Sequence, residues 1–288
     1  MTAAAAGPGD PTRAAHLYAL LRCPRCGTAP SPEDERCSGC GRTVATSGGG
    51  LDLLDPELAG AAGRFAEHYP GLRAKEGWVD AGGREDPETG DPRLWRRRLA
   101  AAAAAAAILD RELPHEPTPV VGDVGSGGGW AARLLPRADV IAFDLLDVPP
   151  GAAALRVRAD MRRLPVRDAA VDALLYVAAL HHAPVAEAVA EAARVLRPGG
   201  LLVAVDSPVY ADAAAAGQAT RRSAAYYARM GSPDLAASYH PIDAGALRGA
   251  LSASRLQVER LDAPRGRYGR LSRLLGRRAF PMVVARAG

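Results

Sequence analysis

The chain has 288 residues, 48% of them hydrophobic, and a formal net charge of +4. This length accommodates one large α/β domain with a small module. The net charge is too small to indicate nucleic-acid binding by itself. The N-terminus lacks the basic start and apolar core of a signal peptide, and the apolar run Leu99–Leu109 is too short to span a bilayer. We therefore expect a cytoplasmic protein without a membrane partner, in which residues 1–12 are disordered.

The four cysteines form two Cys-x-x-Cys pairs, Cys23 with Cys26 and Cys37 with Cys40, and glycine follows each pair. Four thiolates around one ion are typical of structural zinc. Disulfides or free thiols are the alternative, which a cytosolic location disfavours. The spacing predicts a zinc-ribbon module over residues 13–55 that holds a structural Zn²⁺.

Residues 56–92 mix glycine, proline and charged residues, which predicts an irregular linker with short helices. Tyr69 and Trp78 in this linker are candidates for a lid over a binding site. An alanine-rich helix is then predicted from Arg93 to Leu113, and it opens a second domain that covers residues 93–288.

Apolar strand patterns alternate with helical patterns through this domain. The alternation predicts an α/β fold with a doubly wound, Rossmann-like sheet of seven strands, the last of them antiparallel. Helices are expected at 128–135, 184–196 and 243–253. The predicted strands are residues 119–124, 139–144, 154–158, 171–177, 199–206, 255–262 and 280–286.

A glycine-rich loop, Asp-Val-Gly-Ser-Gly-Gly-Gly over residues 123–129, joins the first predicted strand to a helix. Such a loop allows a ligand to approach the backbone closely, and Asp144 ends the next strand at a spacing suited to a ribose diol. The loop fits the G-x-G-x-x-G spacing of nicotinamide dinucleotide sites less well. A nucleoside-containing cofactor is therefore indicated at this turn.

The loop resembles the first motif of class I S-adenosylmethionine-dependent methyltransferases, D/E-x-G-x-G-x-G. Three later segments agree with that family in order and spacing: FDLL at 143–146, the segment 159–183 that ends in LHHA, and EAARVLRPGGLLVAVDSP at 191–208. The resemblance covers residues 95–286. It is closest to the small-molecule branch that includes the menaquinone methyltransferases.

The resemblance implies S-adenosylmethionine as the cofactor and S-adenosylhomocysteine as the product. It implies that the glycine loop contacts the methionine part, that Asp144 binds the ribose and that Asp160 accepts from the adenine amino group. The cofactor-binding residues implied are Asp123, Gly125, Ser126, Gly127, Gly129, Asp144, Leu145, Asp160, Met161 and Ala178.

Methyl transfer by in-line displacement depends mainly on alignment, so a general base is optional. His181 and His182, after the fourth strand, are the candidate bases, with His181 favoured; alternatively, they are scaffold residues. Aromatic residues of the insertion before the sixth strand are candidates either for substrate contact or for packing in the roof of the site. They are Tyr226, Tyr227, Tyr239 and His240.

Three functional hypotheses remain open. The leading one is methylation of a small molecule, such as an intermediate of specialised metabolism. The second is base methylation of rRNA or tRNA, because a zinc module before such a domain resembles the guanine-N1 ribosomal RNA methyltransferases. The third follows from the likeness of the cysteine-only ribbon to tRNA-methyltransferase activator proteins, and implies a homodimer or a protein partner. The arginine-rich segment Arg265–Arg278 is either a solvated loop or a grip for phosphate.

Overall fold

A computed structural model describes residues 11–31, 33–46, 50–80, 84–147, 155–262 and 279–288. The arginine-rich segment Arg265–Arg278 and residues 1–10 lie outside the described residues. Across the part of the chain that is described, no helix has both the length and the apolarity needed to cross a membrane.

The described chain alternates helices and strands as expected for an α/β fold. Its helices are α1 (Pro11–Leu20), α2 (Ala59–Lys75), α3 (Pro92–Glu112), α4 (Val185–Val195), α5 (Ala213–Arg229) and α6 (Ala244–Ala253). Its strands are β1 (Leu51–Asp52), β2 (Val120–Val124), β3 (Asp139–Asp144), β4 (Leu155–Arg158), β5 (Val171–Val177), β6 (Leu196–Val205), β7 (Val209–Tyr210), β8 (Ile242–Asp243), β9 (Leu256–Asp262) and β10 (Met282–Ala287).

The main sheet has the strand order β1-β4-β3-β2-β5-β6-β10-β9. All seven predicted strands are in it, and β10 runs antiparallel to both β6 and β9, as the sequence predicts. The pairs from β4 to β6 are parallel. The eighth strand, β1, extends the sheet in parallel with β4. Strands β7 and β8 form a separate small sheet.

Both faces of the central strands are covered, which explains why their sequences are continuously apolar. In β5, Leu174 and Tyr176 belong to the buried cluster that contains residues of α4 and α6. Their neighbours Ala173 and Leu175 belong to the cluster that contains residues of α3. Because side chains alternate along a strand, the sheet separates two layers of helices, as in a doubly wound fold.

Helix α2 differs from the irregular linker with short helices expected at 56–92, because it is one helix of 17 residues with Pro70 in its interior. Pro70 and three glycines lower its intrinsic propensity. Phe65 and Leu72 are buried in one cluster with Leu235, which lies in the insertion before β9. This tertiary packing outweighs the weak local preference.

The cysteine-containing segment packs directly on the sheet. Leu21 forms an antiparallel bridge with Val166, and the N–H of Leu53 donates to the carbonyl of Arg158 at 3.1 Å. Leu21 and Leu53 are both fully buried in the cluster that holds one face of the sheet. The segment therefore shares its core with the sheet.

Candidate functional site

A cavity opens at the carboxyl ends of β2, β3 and β5, the edge at which parallel α/β sheets bind ligands. The sequence places the glycine loop, Asp144 and Ala178 at these three strand ends, so the topology brings them together. The predicted site residues on the cavity wall are Asp123, Gly125, Ser126, Gly127, Asp144, Leu145, Asp160, Met161, Ala178 and His182. The remaining candidates outside this lining are Gly129, His181, Tyr226, Tyr227, Tyr239 and His240.

Two positions of the glycine loop have no room for a side chain, because other parts of the protein pack against them. A Cβ on Gly125 would lie 2.5 Å from Cβ of Ala179, and one on Gly128 would lie 2.6 Å from the carbonyl oxygen of Glu85. Gly125 also has a φ of +70°, a left-handed conformation that disfavours a side chain. The loop therefore tolerates no side chain at either position without movement of a neighbour.

Asp144 is tied to the glycine loop through its carboxylate. The N–H of Gly127 donates to one oxygen at 2.7 Å, and the N–H of Leu146 donates to the other at 2.9 Å. Burial raises the pKa of Asp144 above its ordinary value, although these two bonds lower it. The two backbone donors fix the carboxylate on the cavity wall and leave each oxygen able to accept a further bond.

Asp123 lies beneath the loop and is 1% exposed. Burial first, and the neighbouring charge of Asp144 second, raise the pKa of Asp123 to about 7. Arg156 opposes this shift, and its guanidinium donates to the carbonyl of Gly127 at 3.0 Å. A titratable group shifted this far in a cavity is typical of a functional site.

Two polar atoms beside the loop support the presence of a ligand. Among the described residues, Oδ2 of Asp123 and Oγ of Ser126 are buried without a hydrogen-bond partner. Buried polar groups in native proteins are nearly always paired. A hydrogen-bonding ligand such as the methionine part and ribose of S-adenosylmethionine fits these unpaired atoms and the oxygens of Asp144.

Asp160 and Met161 follow β4 and close another part of the wall. The carboxylate of Asp160 accepts from Nη2 of Arg162 at 2.7 Å and from the backbone N–H of Arg162 at 2.9 Å. These bonds to Arg162, which is not among the wall residues, fix the orientation of the carboxylate. Asp160 is 4% exposed, so little solvent competes for its remaining acceptor capacity.

The two histidines of the LHH segment have different surroundings. Nδ1 of His181 lies 3.2 Å from Oγ of Ser207, and its ring packs edge-on against Tyr239 at 5.4 Å. His182 instead lines the cavity, and its Nδ1 lies 3.1 Å from the carbonyl oxygen of Ser238. Burial lowers the pKa of His182 to about 4, so its ring is neutral at pH 7.

The aromatic residues of the insertion, called the roof here, pack against one another and against the end of α2, outside the cavity wall. The hydroxyl of Tyr226 donates to Glu76 at the end of α2, and the hydroxyl of Tyr239 lies 3.4 Å from that of Tyr210. Tyr227 packs edge-on against both Tyr226 and Tyr239. The geometry favours the second of the two roles considered for these residues, packing within the roof.

Four further wall residues, Phe65, Glu85, Arg98 and Trp130, were not among the candidates. Tyr69, a candidate for a lid, also lies on the wall, one turn from Phe65 on α2. The i, i+4 spacing of these two aromatic residues was a signal that could have found Phe65. The glycines and proline of α2 concealed the helix on which that spacing depends.

Glu85 connects two arginines at the cavity. One of its oxygens lies 2.8 Å from Nη2 of Arg73 and 3.4 Å from Nη1 of Arg98. Trp78 is contacted by both guanidinium groups, at 4.5 Å and 4.1 Å from the ring centroid. Trp78 therefore packs against the two arginines that pair with Glu85, and it is not among the residues of the cavity wall.

The four cysteines converge on one point. All four Sγ atoms lie within 4.8 Å of one another, and Sγ of Cys23 and Cys40 are 3.8 Å apart. Four sulfurs about 2.3 Å from a tetrahedral zinc ion would be separated by about 3.8 Å. The donor set and its spacing therefore fit Zn²⁺.

The two halves of this cluster have the same backbone geometry. The N–H of Gly27 donates to the carbonyl of Cys23, and that of Gly41 donates to Cys37, each at 2.8 Å. Both glycines have positive φ, +76° and +71°. The glycine after each Cys-x-x-Cys pair is thus required for the turn.

Comparison with known proteins finds a family match for part of the chain. Residues 122–204, which are 83 of the 288 residues, match the family model described as a methyltransferase domain. This segment contains the glycine loop, Asp144, Asp160 and His182, which are the wall residues on β2, β3 and the turns after β4 and β5.

A related sequence supports this assignment for part of the chain. An uncharacterized chloroplastic methyltransferase of Arabidopsis thaliana is 39% identical over 110 residues, which are 30% of this chain. The match spans 31% of the plant protein, less than a third of its length.

Two solved structures share the fold over about two thirds of the chain. Geranyl diphosphate C-methyltransferase from Streptomyces coelicolor A3(2), in complex with Mg²⁺, geranyl diphosphate and S-adenosyl-L-homocysteine, is 15% identical with a TM-score of 0.50. The match covers 65% of this chain and 79% of that one. A sarcosine dimethylglycine methyltransferase homologue from Galdieria sulphuraria is 15% identical, covers 69% and 89% of the two chains and has a TM-score of 0.50.

Proposed function

We propose that this protein transfers a methyl group from S-adenosylmethionine to a small molecule by in-line displacement. The observation that carries the proposal is the pairing of the bare glycine loop with Asp144 on one cavity wall, in a segment that matches the methyltransferase domain family. The nearby unpaired oxygens of Asp123 and Ser126 add the hydrogen-bonding capacity that such a cofactor uses.

Each part of the cofactor has a candidate partner on the wall. Asp144 would accept from the ribose hydroxyls, and Asp160, with Met161 beside it, would hold the adenine. The glycine loop and Asp123 would hold the methionine part. When bound, S-adenosylmethionine supplies a methyl group on a positively charged sulfur. The protein's own contribution is alignment of the acceptor and exclusion of water, and alignment alone is worth on the order of 7–11 kcal/mol.

The roof favours a small acceptor over a base within an RNA chain. Lys75 at the end of α2 donates to the carbonyl of Met230 at 2.8 Å, and His68 lies 3.4 Å from Asp234. These contacts join α2 to the insertion that contains α5. Helix α2, which contributes Phe65 and Tyr69 to the cavity wall, is thereby backed by the insertion, and a cavity closed on this side would suit a compact acceptor.

We propose a structural role for a zinc ion in the cysteine cluster. The ion would fix residues 13–55, whose last strand, β1, borders β4 through the pairs of Leu51 with Val157 and Asp52 with Arg158. Asp160 follows β4 directly in the chain. The zinc module would therefore support the strand that carries the adenine wall, and no protein partner is needed for that role.

The test uses purified protein and methyl-labelled S-adenosylmethionine, offered in parallel with total RNA and with a small-molecule extract of the source cells. The proposal predicts label in the extract and none in RNA. Protein with Asp144→Asn provides the control for label that depends on the site. Label in RNA would overturn the small-molecule assignment in favour of rRNA or tRNA base methylation.

A further inference from the structure

We propose that Phe65, Tyr69 and His182 form the acceptor subsite, and that the acceptor is a flat aromatic ring bearing a hydroxyl group. The inference rests on the proposed function and deepens it, because it names the substrate class. It draws on the cavity wall formed by α2 and the turn after β5, where none of the proposed cofactor contacts lies.

The three rings form one continuous surface. Phe65 and Tyr69 are stacked, with centroids 4.4 Å apart and an interplanar angle of 22°. His182 meets both edge-on, at 5.7 Å from each centroid. All three line the cavity. Aromatic groups prefer such stacked and edge-to-face neighbours, so a planar ring can extend the arrangement where an aliphatic group cannot.

The hydrogen bond of His182 defines which nitrogen is free. A carbonyl oxygen only accepts, so Nδ1 of His182 carries the proton that is donated to Ser238 at 3.1 Å. In the neutral ring, Nε2 is then an unprotonated acceptor. No described residue occupies this nitrogen with a hydrogen bond. Its complement is a hydrogen-bond donor on the edge of the acceptor ring, and a hydroxyl group supplies one.

The charges beside these rings are already paired. The guanidinium of Arg73 lies 5.5 Å from the Tyr69 ring centroid, within reach of a cation–π interaction. Glu85 pairs with Arg73 and with Arg98, which also lines the cavity. A neutral acceptor ring therefore needs no additional counter-charge at this surface.

The chemical step balances with these residues. The hydroxyl oxygen forms its bond to the methyl carbon as the carbon–sulfur bond breaks. The electron pair of the broken bond would stay on sulfur. The hydroxyl group would donate its hydrogen bond to Nε2 of His182 as it reacts, and its proton would be released to solvent when the product leaves.

The test measures equilibrium binding of three probes to the full chain saturated with S-adenosylhomocysteine. The probes are 2-naphthol, 2-methoxynaphthalene, which lacks the donor, and decahydro-2-naphthol, which lacks the flat ring. We expect 2-naphthol to bind at least about fivefold more tightly than either analogue, the scale of one hydrogen bond or one ring contact. Equal binding of all three, or no binding of 2-naphthol, would overturn the subsite.

Three variants locate the preference. His182→Asn keeps a donor for the Ser238 carbonyl but has no acceptor at the position of Nε2, so it should abolish the preference for 2-naphthol over the methoxy analogue. Tyr69→Leu should abolish the preference over the saturated analogue, whereas Tyr69→Phe keeps the ring and should retain it. Unchanged preferences in His182→Asn and Tyr69→Leu would place the probe elsewhere and contradict the subsite.

Binding of S-adenosylhomocysteine itself is measured first by calorimetry. Failure of that binding would contradict the proposed function. Normal cofactor binding without probe discrimination would contradict the acceptor subsite alone. The two hypotheses are thus tested by separate readouts.

Discussion

The backbone N–H of Gly127 donates a 2.7 Å hydrogen bond to the carboxylate of Asp144. This contact joins the loop after β2 to the end of β3, two strands that pair in parallel. It holds an acidic group against the part of the loop that has no side chains. The arrangement is built to present one carboxylate, in one orientation, to a ligand on the glycine loop.

Replacing Asp144 with asparagine should weaken S-adenosylmethionine binding by about 10- to 150-fold. The physical reason is the loss of charge-assisted hydrogen bonds, worth about 1.5–3 kcal/mol. Asp147→Asn, three residues later and exposed, is the matched control and should bind as the unmodified protein does. Calorimetric titration measures both. Equal affinities of the two variants would argue against a ribose contact by Asp144.

Gly128→Ala should destabilise the protein by about 1–3 kcal/mol, the usual cost of overpacking. Its Cβ would meet the carbonyl of Glu85 at 2.6 Å, and Glu85 pairs with Arg73 and Arg98. Gly217→Ala in α5 meets nothing within 4 Å and should stabilise by about 0.5–1 kcal/mol. Urea unfolding of both variants gives the comparison. A stable Gly128→Ala variant would show that the Glu85 segment does not rest on the loop.

The positions of the seven predicted strands could be found from the sequence because their signal is local. The run at 171–177 is apolar throughout, as a strand buried on both faces requires, and β5 has these bounds. Strand β1 could not be predicted because two residues carry no periodicity. Helix α2 could not be predicted because Pro70 and its glycines lower the local helix propensity. The helix is stabilised by the burial of Phe65 against residues far along the chain, which the local sequence does not show.

In the candidate site, too, some residues could be predicted from the sequence and others could not. The positions carried by family motifs, such as Asp144 and Asp160, lie on the cavity wall. The choice between His181 and His182 could not be made from alternation along β5, because the chain leaves the strand at Ala178, whose φ is +55°. The turn after that residue directs His182 to the cavity.

The shifted pKa of Asp123 predicts a loss of stability as pH rises. With a pKa of about 7 in the folded protein and an ordinary value near 3.8, the folded state binds more protons than the unfolded state between these pH values. The contribution of Asp123 is fully favourable below pH 4 and falls by roughly 4 kcal/mol as pH rises to 7. Asp123→Asn removes this dependence.

The measurement compares the free energy of unfolding of both proteins from pH 4 to pH 8. His182 contributes the opposite slope below pH 6.5, because its pKa is lowered to about 4, but this slope is common to both. The stability of Asp123→Asn relative to the unmodified protein should therefore increase with pH. A constant difference would mean that Asp123 ionises normally.

Zinc removal should lower the stability of the whole chain. Cys23 and Cys37 are buried in the same cluster as the central strands, so loss of the ion exposes part of the common core. Cys26→Ser should reduce the zinc content well below one ion per chain and lower the unfolding temperature. Ser38→Ala, exposed between two ligands, should change neither. Full zinc content with Cys26→Ser would contradict the four-cysteine site.

The central claim is that the cavity at the carboxyl edge of the sheet binds S-adenosylmethionine. Its most direct test is equilibrium dialysis of the full chain against labelled S-adenosylmethionine, with unlabelled S-adenosylhomocysteine as competitor. The account predicts one bound molecule per chain, displaced by the competitor. No saturable binding, or binding that the competitor does not displace, would contradict it.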